Sequence, residues 1–175
     1  VALIIEDGSN VAGANSYCDL ATIRAYALAR GVTLSAVDDS LNAHALKAMD
    51  YIEALRKQFQ GCKSNYPGDD GSLPVPQPLQ WPRRGVLIDN YPVEFNVIPQ
   101  ELKNAQCQLC IELFNDVDLM PTQTGQFVLR EKVGSLETQY SETIGTSGPT
   151  LSKVDSLLSI LFKDDSGFAL TTVRI

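Results

Sequence analysis

Residues 38–61 read DDSLNAHALKAMDYIEALRKQFQG, and this stretch decides the fold class. Its apolar members Leu41, Ala45, Ala48, Ile52, Leu55 and Phe59 recur at alternating steps of four and three, which puts them on one face of a helix. Asp38, Asp39 and Ser40 supply an N-terminal signal, and the helix is expected to end near Gly61. It is the strongest amphipathic pattern in the chain, so the core should be built from helices.

Upstream, Asp19 can cap a helix of about three turns in which Leu20, Ile23 and Ala27 share a face with Tyr26 beside them, and Gly31 stands at the left-handed C-cap position. Before it, residues 1–7 read as a short apolar strand and Gly8 to Asn15 as a loop. Downstream, five prolines between Cys62 and Pro82 argue against regular structure, leaving a long arm. A third helix opens at Pro99 and runs through Leu102, Ala105, Leu109 and Leu113 until Asn115 and Pro121 close it; its polar side is mostly Gln, Asn and Glu. From Gln126 to Ser141 the period changes to two, with Leu136, Thr138 and Tyr140 on one face and Gly134 at a turn or bulge. Ser152 and Asp155 have the spacing of a capping box before a fourth helix carrying Val154, Leu157, Leu158 and Leu161. The expected fold is therefore mainly α. It has a four-helix bundle-like core, a small β-hairpin or strand element, and extended N-terminal, Pro-rich and C-terminal arms. One domain over 1–162 carries the arm 62–82, and 163–175 form a C-terminal extension.

Charge and cysteine usage narrow the function classes. Fourteen Lys and Arg stand against 21 Asp and Glu, a formal net charge of −7, so the field of the whole chain disfavours non-specific DNA binding. No apolar stretch is long enough to span a membrane, and Val1 to Ile5 lack the basic flank and length of a signal peptide. Cys18, Cys62, Cys107 and Cys110 are irregularly spaced, which suits free thiols in a reducing compartment.

No catalytic, cofactor or metal constellation emerges. Cys107 and Cys110 form a C-x-x-C, but they lie two turns into a helix without a second ligand pair, and the reading favours core thiols over a redox or zinc site. His44 has no nucleophile motif around it. Asp89 with Glu101 and Lys103 superficially resembles a magnesium-nuclease triad, yet the Glu-x-Lys falls in a first helical turn. Asp7-Gly8-Ser9-Asn10 and Asp69-Asp70-Gly71-Ser72 lack the later glutamate of a calcium loop and read as turns. The chain is expected to be no enzyme.

Five segments in order resemble a known family: residues 2–8 (ALIIEDG), 11–17 (VAGANSY), 79–86 (LQWPRRGV), Ile98-Pro99 with its helix, and 130–134 (REKVG). The family comprises small tailed-bacteriophage proteins labelled DnaT-like and similar in helical plan to head-to-tail adaptors, or connectors. The resemblance implies a structural virion protein in the phage neck, made in the host cytoplasm. It would form a homo-oligomeric, commonly twelve-fold ring that binds the portal and a tail terminator or stopper, passing packaged DNA without sequence-specific contact. Assembly residues would be Trp81, Arg83, Arg84, Lys163, Phe168, Leu170, Val173 and Ile175. The alternative is a single-stranded DNA-binding or replication accessory module, for which Arg83 and Arg84 beside Trp81 are the only basic cluster, although Trp81 reads more readily as an anchor packing the arm onto the helices.

Overall fold

A computed structural model describes residues 2–64, 76–121, 130–133, 136–139 and 150–163. Four helices dominate: α1 (Leu20–Leu28), α2 (Asp38–Ala54), α3 (Gln100–Phe114) and α4 (Ser152–Ser159). Three two-stranded antiparallel ribbons accompany them. β1 (Cys62–Lys63) pairs with β2 (Arg83–Arg84), β3 (Leu87–Ile88) with β4 (Tyr91–Pro92), and β5 (Arg130–Val133) with β6 (Leu136–Gln139). The result is a mainly helical chain with small hairpins.

The hub is α3, against which α1, α2 and α4 all pack. Its unbroken run Ala105 to Ile111 is buried, with Gln106 and Gln108 included. The polar side expected from its amides is thus interior. Gln106 is satisfied there, accepting the Tyr17 amide at 3.0 Å and donating to Ser16 Oγ at 2.7 Å, which removes the cost of burying it.

α1 follows the sequence reading: Asp19 accepts the Thr22 amide at 2.7 Å, Ile23 and Ala27 are buried, and Gly31 has φ +76°. α2 begins where expected but stops at Ala54, well short of Gly61. Phe59 is nevertheless fully buried, because the chain beyond α2 pairs with the end of α4: Gln60 N donates to Leu161 O at 2.9 Å and Lys163 N to Gln58 O at 2.7 Å. The Phe59 ring meets Phe162 at 5.5 Å and Trp81 at 5.9 Å. Tertiary pairing replaced the last helical turn while keeping its apolar residue inside.

Other expectations are corrected. The capping box at Ser152 does not form; Leu151 is the N-cap, without a side-chain hydrogen bond. Residues 2–7 contribute a parallel bridge between Ile5 and Ser16 instead of a strand. The following turn is organised by Glu6, fully buried, whose carboxylate accepts the amides of Gly8, Asn10 and Val11 at 2.8, 3.0 and 2.9 Å. The arm is not without regular structure either, since its base is closed by β1 and β2 in the register Cys62↔Arg84, Lys63↔Arg83. Residues 65–75 of the arm, the rest of 126–141 outside β5 and β6, and 164–175 lie outside the described residues. No described helix is long and apolar enough to cross a membrane.

Candidate nucleic-acid interface

The two neighbouring arginines have opposite fates because strand side chains alternate in direction. Arg83 points inward and is 6% exposed. Its guanidinium donates to Gln60 O at 2.6 Å, Gly61 O at 2.8 Å, and Gln80 O and Oε1 at 3.4 and 3.3 Å. Burial pulls its pKa down from the usual arginine value. Arg83 is a clamp on the backbone at the base of the arm. Arg84 points to solvent and lies over the Phe95 ring, 5.1 Å from its centre.

Trp81 is fully buried, with Tyr17, itself buried, donating to Glu53 Oε1 at 3.3 Å and accepting the Trp81 amide at 3.1 Å. Glu53 Oε1 also accepts the Gln80 amide at 2.9 Å, so α2 and residues 16–17 hold the segment carrying the arginines. Trp81 is the anchor that seats this segment in the core and offers no ring face to a partner. The exposed aromatics nearby are Phe95 and Tyr91, 52% and 76% exposed. Tyr91 stands on β4, brought round by a tight turn at Asp89 and Asn90, both with positive φ. The Phe95 carbonyl accepts from Ser64 Oγ, which ties its loop to the arm base.

More positive charge gathers at this base. Lys63 donates to Gln77 O at 3.0 Å. Its pKa is lowered by burial first, with Arg83 and Arg56 adding repulsion and Glu53 opposing them. Lys63, Arg83 and Arg84 therefore share the arm base, with Phe95 against Arg84 and Arg56 near enough to Lys63 to repel it. Among the described residues a single ion pair exists, Arg24 with Asp38 at 2.7 Å, so none of these four cations is neutralised by a carboxylate contact.

The remaining candidates are not brought together. Asp89 sits in the β3–β4 turn and Glu101 in the first turn of α3, and among the described residues no group of three or more His, Cys, Asp or Glu could hold a metal. Cys107 and Cys110 are both buried, and burial pushes the Cys110 thiol up to about 12. Cys107 donates to Cys18 Sγ at 3.8 Å, which together with burial raises its pKa. Neutral core thiols result. His44 is half-buried on α2, its pKa lowered by burial and by Lys47. Lys163 is exposed after α4, while Phe168, Leu170, Val173 and Ile175 lie outside the described residues.

A family model matches residues 1–175, the whole chain, with the description "Putative DnaT-like ssDNA binding protein". The chain belongs to this DnaT-like family. The match corrects the adaptor reading: the family description speaks of single-stranded DNA, and no head-to-tail adaptor, neck ring, twelve-fold oligomer, portal or tail partner is found for the DnaT-like chain. The acidic net charge is a sum over the chain and does not exclude a local group of cations. No curated protein and no solved structure matches this DnaT-like chain. Trp81 is the core anchor that the sequence reading favoured, while Tyr91 and Phe95 were not singled out by it. Their signal was two aromatics in a segment of Asp, Asn and Pro turns, where no periodic face exists to bury them.

Proposed function

We propose that this chain binds single-stranded DNA without catalysing a reaction on it, as an accessory module of DNA replication. The observation that carries the reading is the match of the DnaT-like single-stranded DNA-binding family over the full chain. The arm base supplies the chemistry such binding needs, exposed rings for bases and unpaired cations for phosphates. Phe95, stiffened by Arg84, is the stacking platform, Tyr91 extends it, and Arg56 and Lys63 flank the backbone path. The helices act as a bundle-like scaffold behind it, with Trp81 and Arg83 holding the platform in place.

Fluorescence anisotropy with labelled oligo-dT at low salt tests this. The intact chain should bind single strands more tightly than duplex. Base stacking is worth about 1–3 kcal/mol per base, so Phe95→Ala with Tyr91→Ala should weaken binding about tenfold or more. An intact chain that ignores the oligonucleotide at low salt would refute the function. Unchanged affinity in the double variant would refute this interface.

A further inference from the structure

A second place on the molecule suits an anion. Between α1, α3 and α4 lies a cavity of about 530 Å3, within the roughly 300–1,000 Å3 of small-ligand clefts. None of the described residues lining it is Asp or Glu, in a chain of net charge −7. Arg30, just past α1, and Lys153, in the first turn of α4, face it from two sides, and neither has an ion-pair partner among the described residues. The nearby Glu112 carboxylate is engaged by the Gln108 amide, from which it accepts at 2.8 Å.

The walls also fit a flat heterocycle. The Arg30 guanidinium sits 3.3 Å from the centre of the Tyr26 ring and donates to Tyr26 O at 3.0 Å, so this stacked pair is organised before any ligand arrives. Bases stack on both aromatic rings and guanidinium planes. Ile111 and Leu157 add apolar surface. Gln108, only 3% exposed, gives its amide nitrogen to Glu112 and leaves its Oε1 without a donor among the described residues. That oxygen can accept from an exocyclic amino group. Ser156 and Lys153 are the groups for a phosphate.

We propose that this cavity binds one nucleotide unit, its base on the Tyr26–Arg30 stack with Gln108 at its edge and its phosphate on Lys153 and Ser156. The unit can be a free nucleoside monophosphate or one nucleotide of a bound strand. The strand form rests on the function proposed above and has a short route to it. The eight residues of α4 span about 12 Å, and at its far end Gln60 Nε2 bridges Ile160 O and Leu87 O of β3.

The test is calorimetric titration of the full chain with dAMP, with inorganic phosphate and with an oligonucleotide, repeated on Arg30→Ala with Lys153→Ala. Both substituted residues are exposed, so the variant should keep its circular dichroism spectrum and melting temperature. A free-nucleotide site predicts dAMP binding that falls at least tenfold in this variant and is unchanged in Arg84→Ala. A strand site predicts a fall of similar size in oligonucleotide affinity. Gln108→Leu, which removes the acceptor, should lower affinity for dAMP more than for dTMP. The proposal is overturned if wild type binds no dAMP and the variant binds the oligonucleotide as wild type does, an outcome that leaves single-stranded DNA binding standing. It is equally overturned if inorganic phosphate binds as tightly as dAMP, since the base would then contribute nothing.

Discussion

Arg83 and Arg84 are adjacent in sequence and should answer mutation in opposite ways. Arg84→Ala removes one exposed cation and should leave stability within about 0.5 kcal/mol while weakening oligonucleotide binding. Arg83→Ala strips donors from the carbonyls of Gln60, Gly61 and Gln80 and should cost about 3 kcal/mol in a urea titration. A double Arg83/Arg84 alanine variant would therefore confuse unfolding with lost contact, and single variants are needed. Asp19 gives a pH-dependent counterpart. The hydroxyl and amide of Thr22 lower its pKa, so its stabilisation is full above the unfolded aspartate value near 3.9 and is lost as pH falls through the lower folded value. Asp19→Ala should cost about 1 kcal/mol at pH 7, and the gap to wild type should narrow below about pH 3.9. A gap independent of pH would mean that the carboxylate charge is not what caps α1.

At the scale of elements, the starts of helices were legible and their ends less so. Asp19 marks a start by capping it, whereas Asp38 in the first turn of α2 and Pro99 before α3 mark starts by charge and backbone preference alone, signals that are all local to a few residues. The end of α2 was not legible, since Phe59 keeps the four-three spacing yet is buried by Phe162 and Trp81, contacts made far along the chain. The inner face of α3 was half legible: Leu102, Ala105 and Leu109 announce it, but nothing local says that Gln106 will find Ser16 and Tyr17. Two-residue strands such as β1 to β4 are too short for alternation to register. Gly61 is the conformational key to the first of these ribbons. It has φ +61°, and a Cβ there would lie 1.9 Å from Arg84 O. Gly61→Ala should therefore destabilise the chain by more than about 1 kcal/mol and weaken oligonucleotide binding through displacement of Arg84. Gly31→Ala, at φ +76° with open space around it, should cost only the conformational strain, of order 1 kcal/mol, and spare binding.

For the whole molecule, charge becomes an ionic-strength prediction. A strand held through few phosphates should show a shallow salt dependence, with the logarithm of the binding constant falling by about 0.7 per phosphate neutralised for each decade of salt. Removing Arg84 should lower that slope by about 0.7, whereas removing Phe95 should lower affinity and leave the slope alone. The platform itself was only partly legible. Arg84 could be nominated from its basic neighbour, but which arginine faces water is decided by β1, and which aromatics are exposed by the turn at Asp89 and Asn90.

The base of the arm is closed by hydrogen bonds among the described residues on its two sides. Ser64 N donates to Pro82 O at 3.2 Å, Gln77 Nε2 to the same carbonyl at 2.8 Å, and Lys63 Nζ to Gln77 O. The two ends of segment 65–75 are thus fastened to one short piece of backbone. Closing a span between fixed ends becomes costlier by only about 0.6 kcal/mol for each doubling of its length. The position is consequently a natural graft point, where a peptide tag, a fluorophore-bearing sequence or a second binding module could be spliced in beside the nucleic-acid platform while the helices beneath keep their registry.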